Sequence, residues 1–218
     1  EPDVVLYTAA VSACGRGQNW ELALGLLGEA VVDSIEPNLY VYSAAISACE
    51  KGLQWQLALC LLREADHAGL EPQVITYSAA ISACEKGQKW ESSLGLLSEM
   101  YSRRLEPNVI TFSAVISACE KCQEWEVALM LMSEMRRNDL EPNFVTYSAA
   151  MSACGKSQHW ERVLSLFGEA RHGGLRPNEI AYGVAISGCE TGLCWDLAVR
   201  LLQEMHVRDL VADEAIYR

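Results

Sequence analysis

One basic side chain recurs along this chain at intervals of 35 residues. A serine stands four residues before each of these cations. Evenly spaced cations bordered by small residues are suited to binding a polyanion such as a phosphate backbone. The alternative is that the cations only keep the end of a helix solvated. The candidate phosphate-binding residues are Arg16, Lys51, Lys86, Lys121 and Lys156.

Cysteine and histidine, the side chains most often used for metal binding or nucleophilic chemistry, form no such constellation. Most of the nine cysteines follow the same 35-residue interval, which is typical of small buried residues. Cys119 and Cys122 spell CxxC, but no second pair or histidine cluster completes a metal set. The four histidines share no position of the repeat, and no catalytic triad or phosphate loop is present. We therefore expect no metal, no cofactor and no enzymatic activity.

The net charge of −12 argues, taken alone, against a nucleic-acid partner. Most carboxylates fall away from the cations, so we expect an acidic back and a thin basic stripe. Glutamates that border the stripe, such as Glu50 and Glu120, predict weak and strongly salt-sensitive binding. No apolar run approaches the roughly 18 residues that a membrane span needs, so no membrane partner is expected.

The elements that position these side chains follow from the same period. All six prolines and all six tryptophans step by 35 residues, which is typical of a solenoid of stacked repeats. Within one unit, Tyr77, Ala80, Ile81 and Cys84 lie on one face of a first helix. A second helix, with Trp90, Leu94, Leu97 and Met100 on its apolar face, is predicted to end before Pro107, because proline cannot continue the hydrogen-bond ladder.

The predicted fold class is therefore all-α, a right-handed α-solenoid (superhelix) of helix-turn-helix repeats. Residues 1–3 match the tail of a preceding repeat and residues 214–218 the start of a further one, so we expect a longer array. The six predicted repeats occupy residues 4–38, 39–73, 74–108, 109–143, 144–178 and 179–213.

The repeat resembles a known family. Its V-x-T-Y opening at residues 74–77, its A-L-x-L-L-x-E-M middle and its L-E-P-N close are similar to pentatricopeptide repeats of the plain (P-type) 35-residue kind. The 34-residue tetratricopeptide unit has different Trp, Gly and Tyr spacings and fits less well. The resemblance implies binding of single-stranded RNA, one base per repeat, in mitochondria or chloroplasts. It also implies a role in RNA processing, stability, splicing or translation, and no DNA partner.

By this resemblance, the fifth and last residues of each repeat select the base. An asparagine can donate to the bare ring nitrogen of adenine or cytosine, whereas an aspartate only accepts and suits uracil or guanine. A small hydroxyl at the fifth position leaves room for a purine. The implied order is adenine, unknown, adenine, adenine, adenine and guanine, running 5′ to 3′ with the chain. The pairs are Thr8 with Asn38, Ser43 with Gln73, Ser78 with Asn108, Ser113 with Asn143, Ser148 with Asn178, and Gly183 with Asp213.

The resemblance also assigns one side chain of each repeat to sandwich the bases: Val5, Tyr40, Ile75, Ile110, Val145 and Ile180. For the asparagines a structural alternative stays open, because Asn directly after Pro and before a helix is also a helix N-cap. A functional alternative stays open too, since helical solenoids commonly serve as protein-protein interaction scaffolds. Near-uniform hydroxyls, cations and asparagines favour RNA over a peptide, for which more varied or aromatic groove residues are expected.

Overall fold

The computed structural model describes residues 3–208 and residue 210, and this part of the chain consists of helices and short turns. The helices alternate between a first and a second helix of each predicted repeat, and each has 13 residues. None of them is long and apolar enough to cross a membrane. In order they are α1 (Val4–Arg16), α2 (Trp20–Val32), α3 (Leu39–Lys51), α4 (Trp55–His67), α5 (Val74–Lys86), α6 (Trp90–Ser102), α7 (Val109–Lys121), α8 (Trp125–Arg137), α9 (Phe144–Lys156), α10 (Trp160–His172), α11 (Glu179–Thr191) and α12 (Trp195–Val207).

The chain divides into two compact units, Glu1–Ala118 and Cys119–Arg218, and α7 spans the division. In the first unit α1 packs against α3 and α3 against α5, while α2 lies between α1 and α3 in contact with both. In the second unit α9 packs against α11, and α10 contacts both. Each unit therefore stacks helix pairs in chain order, and the predicted all-α helical-repeat fold is confirmed.

The first helix of a repeat buries the predicted face. In α5, Tyr77, Ala80, Ile81 and Cys84 are all buried. The buried face of the second helix is broader than expected, because in α6 it includes Leu96 as well as the predicted Leu97 and Met100. Leu94 and Trp90 are only partly buried.

The turn between the two helices of a repeat is shaped by a close contact with the preceding repeat. A Cβ atom on Gly87 would overlap Cδ1 of Trp55, so any larger residue there forces the tryptophan to move. Gln88 then takes a positive φ of 55°, and the amide of Lys89 donates to the carbonyl of Cys84 over 2.9 Å. The recurring glycine and tryptophan thus form one packing contact between neighbouring repeats.

Ion pairs also connect the second helices of neighbouring repeats. Arg103 donates from Nη1 and Nη2 to the two carboxylate oxygens of Asp66, over 2.6 and 2.8 Å. These hydrogen bonds hold the pKa of the Asp66 carboxyl below its usual value. In the second unit Arg136 donates from Nη2 to a single carboxylate oxygen of Glu169, in the following repeat, over 2.6 Å.

The predicted end segments mostly fall outside the described part of the chain. Of residues 1–3 only Asp3 is described, and it caps α1 by accepting from the amide of Leu6 over 2.8 Å. Asp213 and residues 214–218 lie outside the described residues. The repeat boundaries stay a prediction, although each of the six repeats begins at the first residue of an odd-numbered helix.

Candidate nucleic-acid interface

The fifth residue of a repeat lies where the first helices of neighbouring repeats meet. Ser78 is 9% exposed, and its Oγ lies 2.8 Å from Oγ1 of Thr111, the third residue of the next repeat. Ser43 contacts Thr76 over the same distance. The sequence predicted a small hydroxyl with room for a base beside it, whereas in the structure Thr111 packs against Ser78 and buries most of it. A base would meet only the outer edge of this hydroxyl.

Thr8 and Ser148 are fifth residues for which the next repeat has no threonine at its third position. Val41 stands at the third position of repeat 2, and Thr8 donates instead to the carbonyl of Val4 over 2.7 Å. Ala181 stands at this position of repeat 6, and the Oγ of Ser148 is buried without a hydrogen-bond partner among the described residues. Gly183 has no side chain to offer. Ser113 differs from these three, because it is buried, is not without a partner and is followed by a threonine in the next repeat, as Ser78 is.

The last residue of a repeat is the N-cap of the next first helix. Asn108 Oδ1 accepts from the amide and from the hydroxyl of Thr111, over 3.0 and 3.1 Å. Asn143 makes the same two contacts with Thr146, each over 3.0 Å. Where the third residue has no hydroxyl, only amides donate: those of Tyr40 and Val41 to Asn38, and that of Ala181 to Asn178. The capping interpretation is confirmed for these asparagines, whereas Gln73 makes no capping hydrogen bond.

This cap fixes the orientation of the Asn108 amide. A backbone N–H can only donate, so the atom that caps must be the carbonyl oxygen. The Nδ2 group of Asn108 donates to no described residue, and the side chain is exposed. The asparagine therefore presents two unused N–H donors next to the buried Ser78.

The six side chains predicted to sandwich bases are all exposed. Their exposed fractions range from 57% for Val145 to 76% for Ile75, although aliphatic and aromatic residues normally avoid water. Each lies one helical turn before the fifth residue of its repeat, on the first helix. The exposed fractions of the other four side chains lie between these two values: Val5, Tyr40, Ile110 and Ile180.

The cations predicted to bind phosphate are not equivalent. Lys86 pairs with Glu50 of the preceding repeat over 2.9 Å, and Lys156 pairs with Glu120 over 2.6 Å. Glu120 also accepts from Ser152 over 2.8 Å. Lys121 has an interaction partner as well. Arg16 and Lys51 are exposed, and neither forms an ion pair with any residue that the structure describes.

The chain itself explains why Lys51 differs from Lys86. The glutamate that pairs with Lys86 is Glu50, and the corresponding residue one repeat earlier is Gly15. Lys51 therefore has no carboxylate at this position. The bordering glutamates identified in the sequence do more than reduce the local potential, because two of them hold a predicted phosphate ligand in a direct ion pair.

The cysteines offer no second kind of site in the described part of the chain. No group of three His, Cys, Asp or Glu residues within residues 3–208 could hold a metal ion. Burial raises the pKa of the Cys119 thiol to about 12, which disfavours the thiolate that metal binding requires. The CxxC sequence is thus a core cysteine followed by a partly buried one.

One set of residues at this interface was missed by the sequence reasoning: the threonines at the third position. Thr76, Thr111 and Thr146 are almost completely buried. Their 35-residue spacing was visible in the V-x-T-Y opening. Only the fold shows that the hydroxyl of Thr111 contacts both the fifth and the last residue of the preceding repeat.

Comparison with family models identifies the repeat. A model described as a pentatricopeptide repeat domain matches residues 1–51 and 60–122, slightly more than half of the 218 residues. Models described as a PPR repeat family and a PPR repeat match residues 107–156 and 145–175. No curated protein is similar enough in sequence to be matched with this chain.

Solved structures share the fold at low sequence identity. The pentatricopeptide repeat protein PPR10 from maize matches with a TM-score of 0.70 and 23% identity, over 100% of this chain and 31% of that one. A structure of PPR10 with an 18-nt psaJ RNA element matches with a TM-score of 0.64 and 23% identity, over 100% of this chain and 35% of that one. The PPR domain of Arabidopsis thaliana protein-only RNase P 1, in complex with tRNA, matches with a TM-score of 0.71 and 15% identity. The match covers 79% of this chain and 91% of that one. This chain spans about a third of the length of PPR10.

Proposed function

This chain belongs to the pentatricopeptide repeat family, and on that premise we propose that it binds single-stranded RNA through a modular array, one base per repeat. Solved relatives with this fold include one bound to an RNA element and one bound to tRNA. We expect the chain to act by binding rather than catalysis, in mitochondria or chloroplasts. The role we propose is in RNA processing, stability, splicing or translation.

The observation that carries this proposal is the pairing of an unused amide donor with an exposed apolar side chain. The two Nδ2 N–H donors of Asn108 are unused among the residues that the structure describes, and Ile110, two residues later, is 66% exposed. Burying an aliphatic side chain against a base removes apolar surface from water, and the amide supplies a directional contact. A peptide backbone does not need this combination at every repeat.

The same donors support adenine at four repeats. Amide N–H groups complement the bare N1 of adenine or N3 of cytosine, and the four asparagines that supply them are Asn38, Asn108, Asn143 and Asn178. The small hydroxyl side chain at the fifth position of the same repeats leaves room for a purine. Repeat 2 stays unassigned, since Gln73 neither caps nor matches a common pair. For repeat 6 we propose guanine, on the acceptor character of Asp213. The proposed partner is A-rich RNA.

The ion pairs again imply weak binding, but they replace the strong salt sensitivity expected from the sequence with a modest one, because two of the five cations are already paired with carboxylates. A phosphate must compete with Glu50 for Lys86 and with Glu120 for Lys156. Each phosphate contact contributes a slope of about 0.7 to the dependence of log K on log salt for a single strand. Arg16 and Lys51 are the cations best placed to contribute the full amount.

Fluorescence anisotropy with labelled A-rich and U-rich single strands, across a salt series, tests the proposal. We expect tighter binding of the A-rich strand, and weaker binding of DNA of the same sequence. Ile75→Ala should weaken binding severalfold, since partial burial of the removed carbons against a base contributes about 1 kcal/mol, at roughly 0.8 kcal/mol per fully buried CH₂. Val32→Ala, at a side chain that is 82% exposed on α2, is the matched control. Absence of binding to every RNA at low salt contradicts the proposal.

A protein-binding scaffold is the second candidate, and the neutralised cations favour it. With Lys86 and Lys156 already paired and a net charge of −12, a basic protein segment would meet less repulsion than an RNA strand. The two candidate functions predict partners of opposite charge: an anionic RNA strand for the RNA-binding array and a basic protein segment for the scaffold. A scaffold should bind lysine-rich peptides and ignore A-rich RNA in the same assay.

A further inference from the structure

The hydroxyl of Thr111 connects the two base-selecting residues of repeat 3. Its Oγ1 lies 2.8 Å from Ser78 Oγ and 3.1 Å from Asn108 Oδ1. Thr111 is 0% exposed, so it touches no base itself. Ser78 and Asn108 are 30 residues apart in the chain, and this buried hydroxyl is a contact that both of them share.

We propose that Thr111 is a specificity-determining positioning residue: it fixes which atoms of Ser78 and Asn108 can donate to the base and which can accept from it. The inference rests on the proposed RNA-binding function. It adds a residue of the following repeat to the pair that selects each base.

The hydrogen-bond directions follow from the donor and acceptor inventory. The carbonyl oxygen of Asn108 can only accept, so the proton of the Thr111 hydroxyl points to Asn108. Thr111 Oγ1 must then accept from Ser78, whose own proton is used in that contact. Ser78 therefore faces the base as an acceptor only, and Asn108 as a donor only.

Adenine offers the complementary pattern on its Watson–Crick edge, because N1 accepts and the N6 amino group donates. Guanine offers a protonated N1 and the O6 acceptor, so both positions conflict with this arrangement. Fixing the two directions through one buried threonine penalises guanine and uracil more strongly than a freely rotating serine hydroxyl would.

Repeat 5 has the same selecting pair without the threonine. Ser148 and Asn178 repeat the serine and asparagine of repeat 3, but Ala181 stands where Thr111 stands. Among the described residues, Asn178 accepts only from the amide of Ala181, and the buried Oγ of Ser148 has no partner. This hydroxyl can rotate, and it can donate or accept. Repeat 5 should therefore discriminate between bases less strongly than repeat 3.

The test is a base-substitution series on an A-rich strand, measured by anisotropy with the full chain. The position that faces repeat 3 is the one whose preference changes in Asn108→Asp, and Asn178→Asp identifies the position for repeat 5. Thr111→Val should lower the preference for adenine over guanine at repeat 3 by roughly three- to tenfold, as expected for one neutral hydrogen bond. Thr111→Ser keeps the hydroxyl and should restore the preference.

The reciprocal variant is Ala181→Thr, with Ala181→Ser as a smaller substitute if the larger side chain does not fit. We expect a gain of adenine preference at repeat 5 by a similar factor and no change at repeat 3. Equal loss of affinity for all four bases in Thr111→Val, or unchanged preference in a folded variant, overturns the inference and leaves the proposed function standing. If the unmodified chain binds no RNA, both fall. Thermal unfolding of each variant identifies those that fail to fold.

Discussion

Replacing Asn108 by aspartate separates helix capping from base selection. In the cap, Asn108 Oδ1 accepts from the amide and hydroxyl of Thr111 over 3.0 and 3.1 Å, and one aspartate oxygen can accept both. Loss of an N-cap to alanine costs about 1 kcal/mol, whereas aspartate and asparagine cap about equally well. We therefore expect Asn108→Asp to change the free energy of unfolding by less than about 0.5 kcal/mol.

The effect on base preference should be much larger. The free Nδ2 donors are replaced by a carboxylate oxygen, which repels N1 of adenine and accepts from N1–H of guanine. Hydrogen bonds to charged groups contribute about 1.5–3 kcal/mol, so the ratio of guanine to adenine affinity should rise roughly 10- to 100-fold. The measurement is anisotropy with strands that differ only in the base facing repeat 3.

Asn19→Asp is the matched control for this substitution. Asn19 caps α2 by accepting from the amide of Leu22 over 3.1 Å, so the variant adds the same charge and keeps a cap away from the selecting positions. It should lower the affinity for all strands slightly and leave base preference unchanged. A folded Asn108→Asp variant that still prefers adenine by the original ratio would refute the reasoning.

Three further predictions concern charge, packing and thiol reactivity. Glu120→Gln should tighten RNA binding about two- to fivefold at low salt, because it releases Lys156 from its ion pair. The same variant should steepen the slope of log K against log salt by up to about 0.7, and an unchanged slope in a salt titration would contradict this. Gly87→Ala should lower the melting temperature because its Cβ meets a tryptophan, whereas Gly95→Ala, with open space around it, should raise stability by up to about 1 kcal/mol in denaturant titrations. Burial raises the pKa of Cys84 to about 11, so at pH 8 its thiolate is scarce and an alkylating reagent should label the exposed Cys60 first; comparable labelling rates in the folded protein would show that the core thiol is accessible.

The sequence was sufficient to predict the helices and the buried face of the first helix of a repeat. A fixed 35-residue period and the i, i+3, i+4, i+7 spacing of Tyr77, Ala80, Ile81 and Cys84 depend only on local geometry and on the requirement to bury apolar surface. The N-cap role of Asn108 was likewise visible beside Pro107, since capping joins residues three apart.

The tertiary structure alone decided which polar side chains meet. The contacts between Ser78 and Thr111, and between Lys86 and Glu50, join residues 33 and 36 positions apart. Local periodicity places each of these side chains on a helix face, but not against its neighbour in the next repeat. How one repeat packs on another sets whether a hydroxyl is open or buried and whether a lysine is free or paired. For that reason the sequence by itself determined the positions of the candidate site, and the stacking of repeats determined their hydrogen-bond directions and charge.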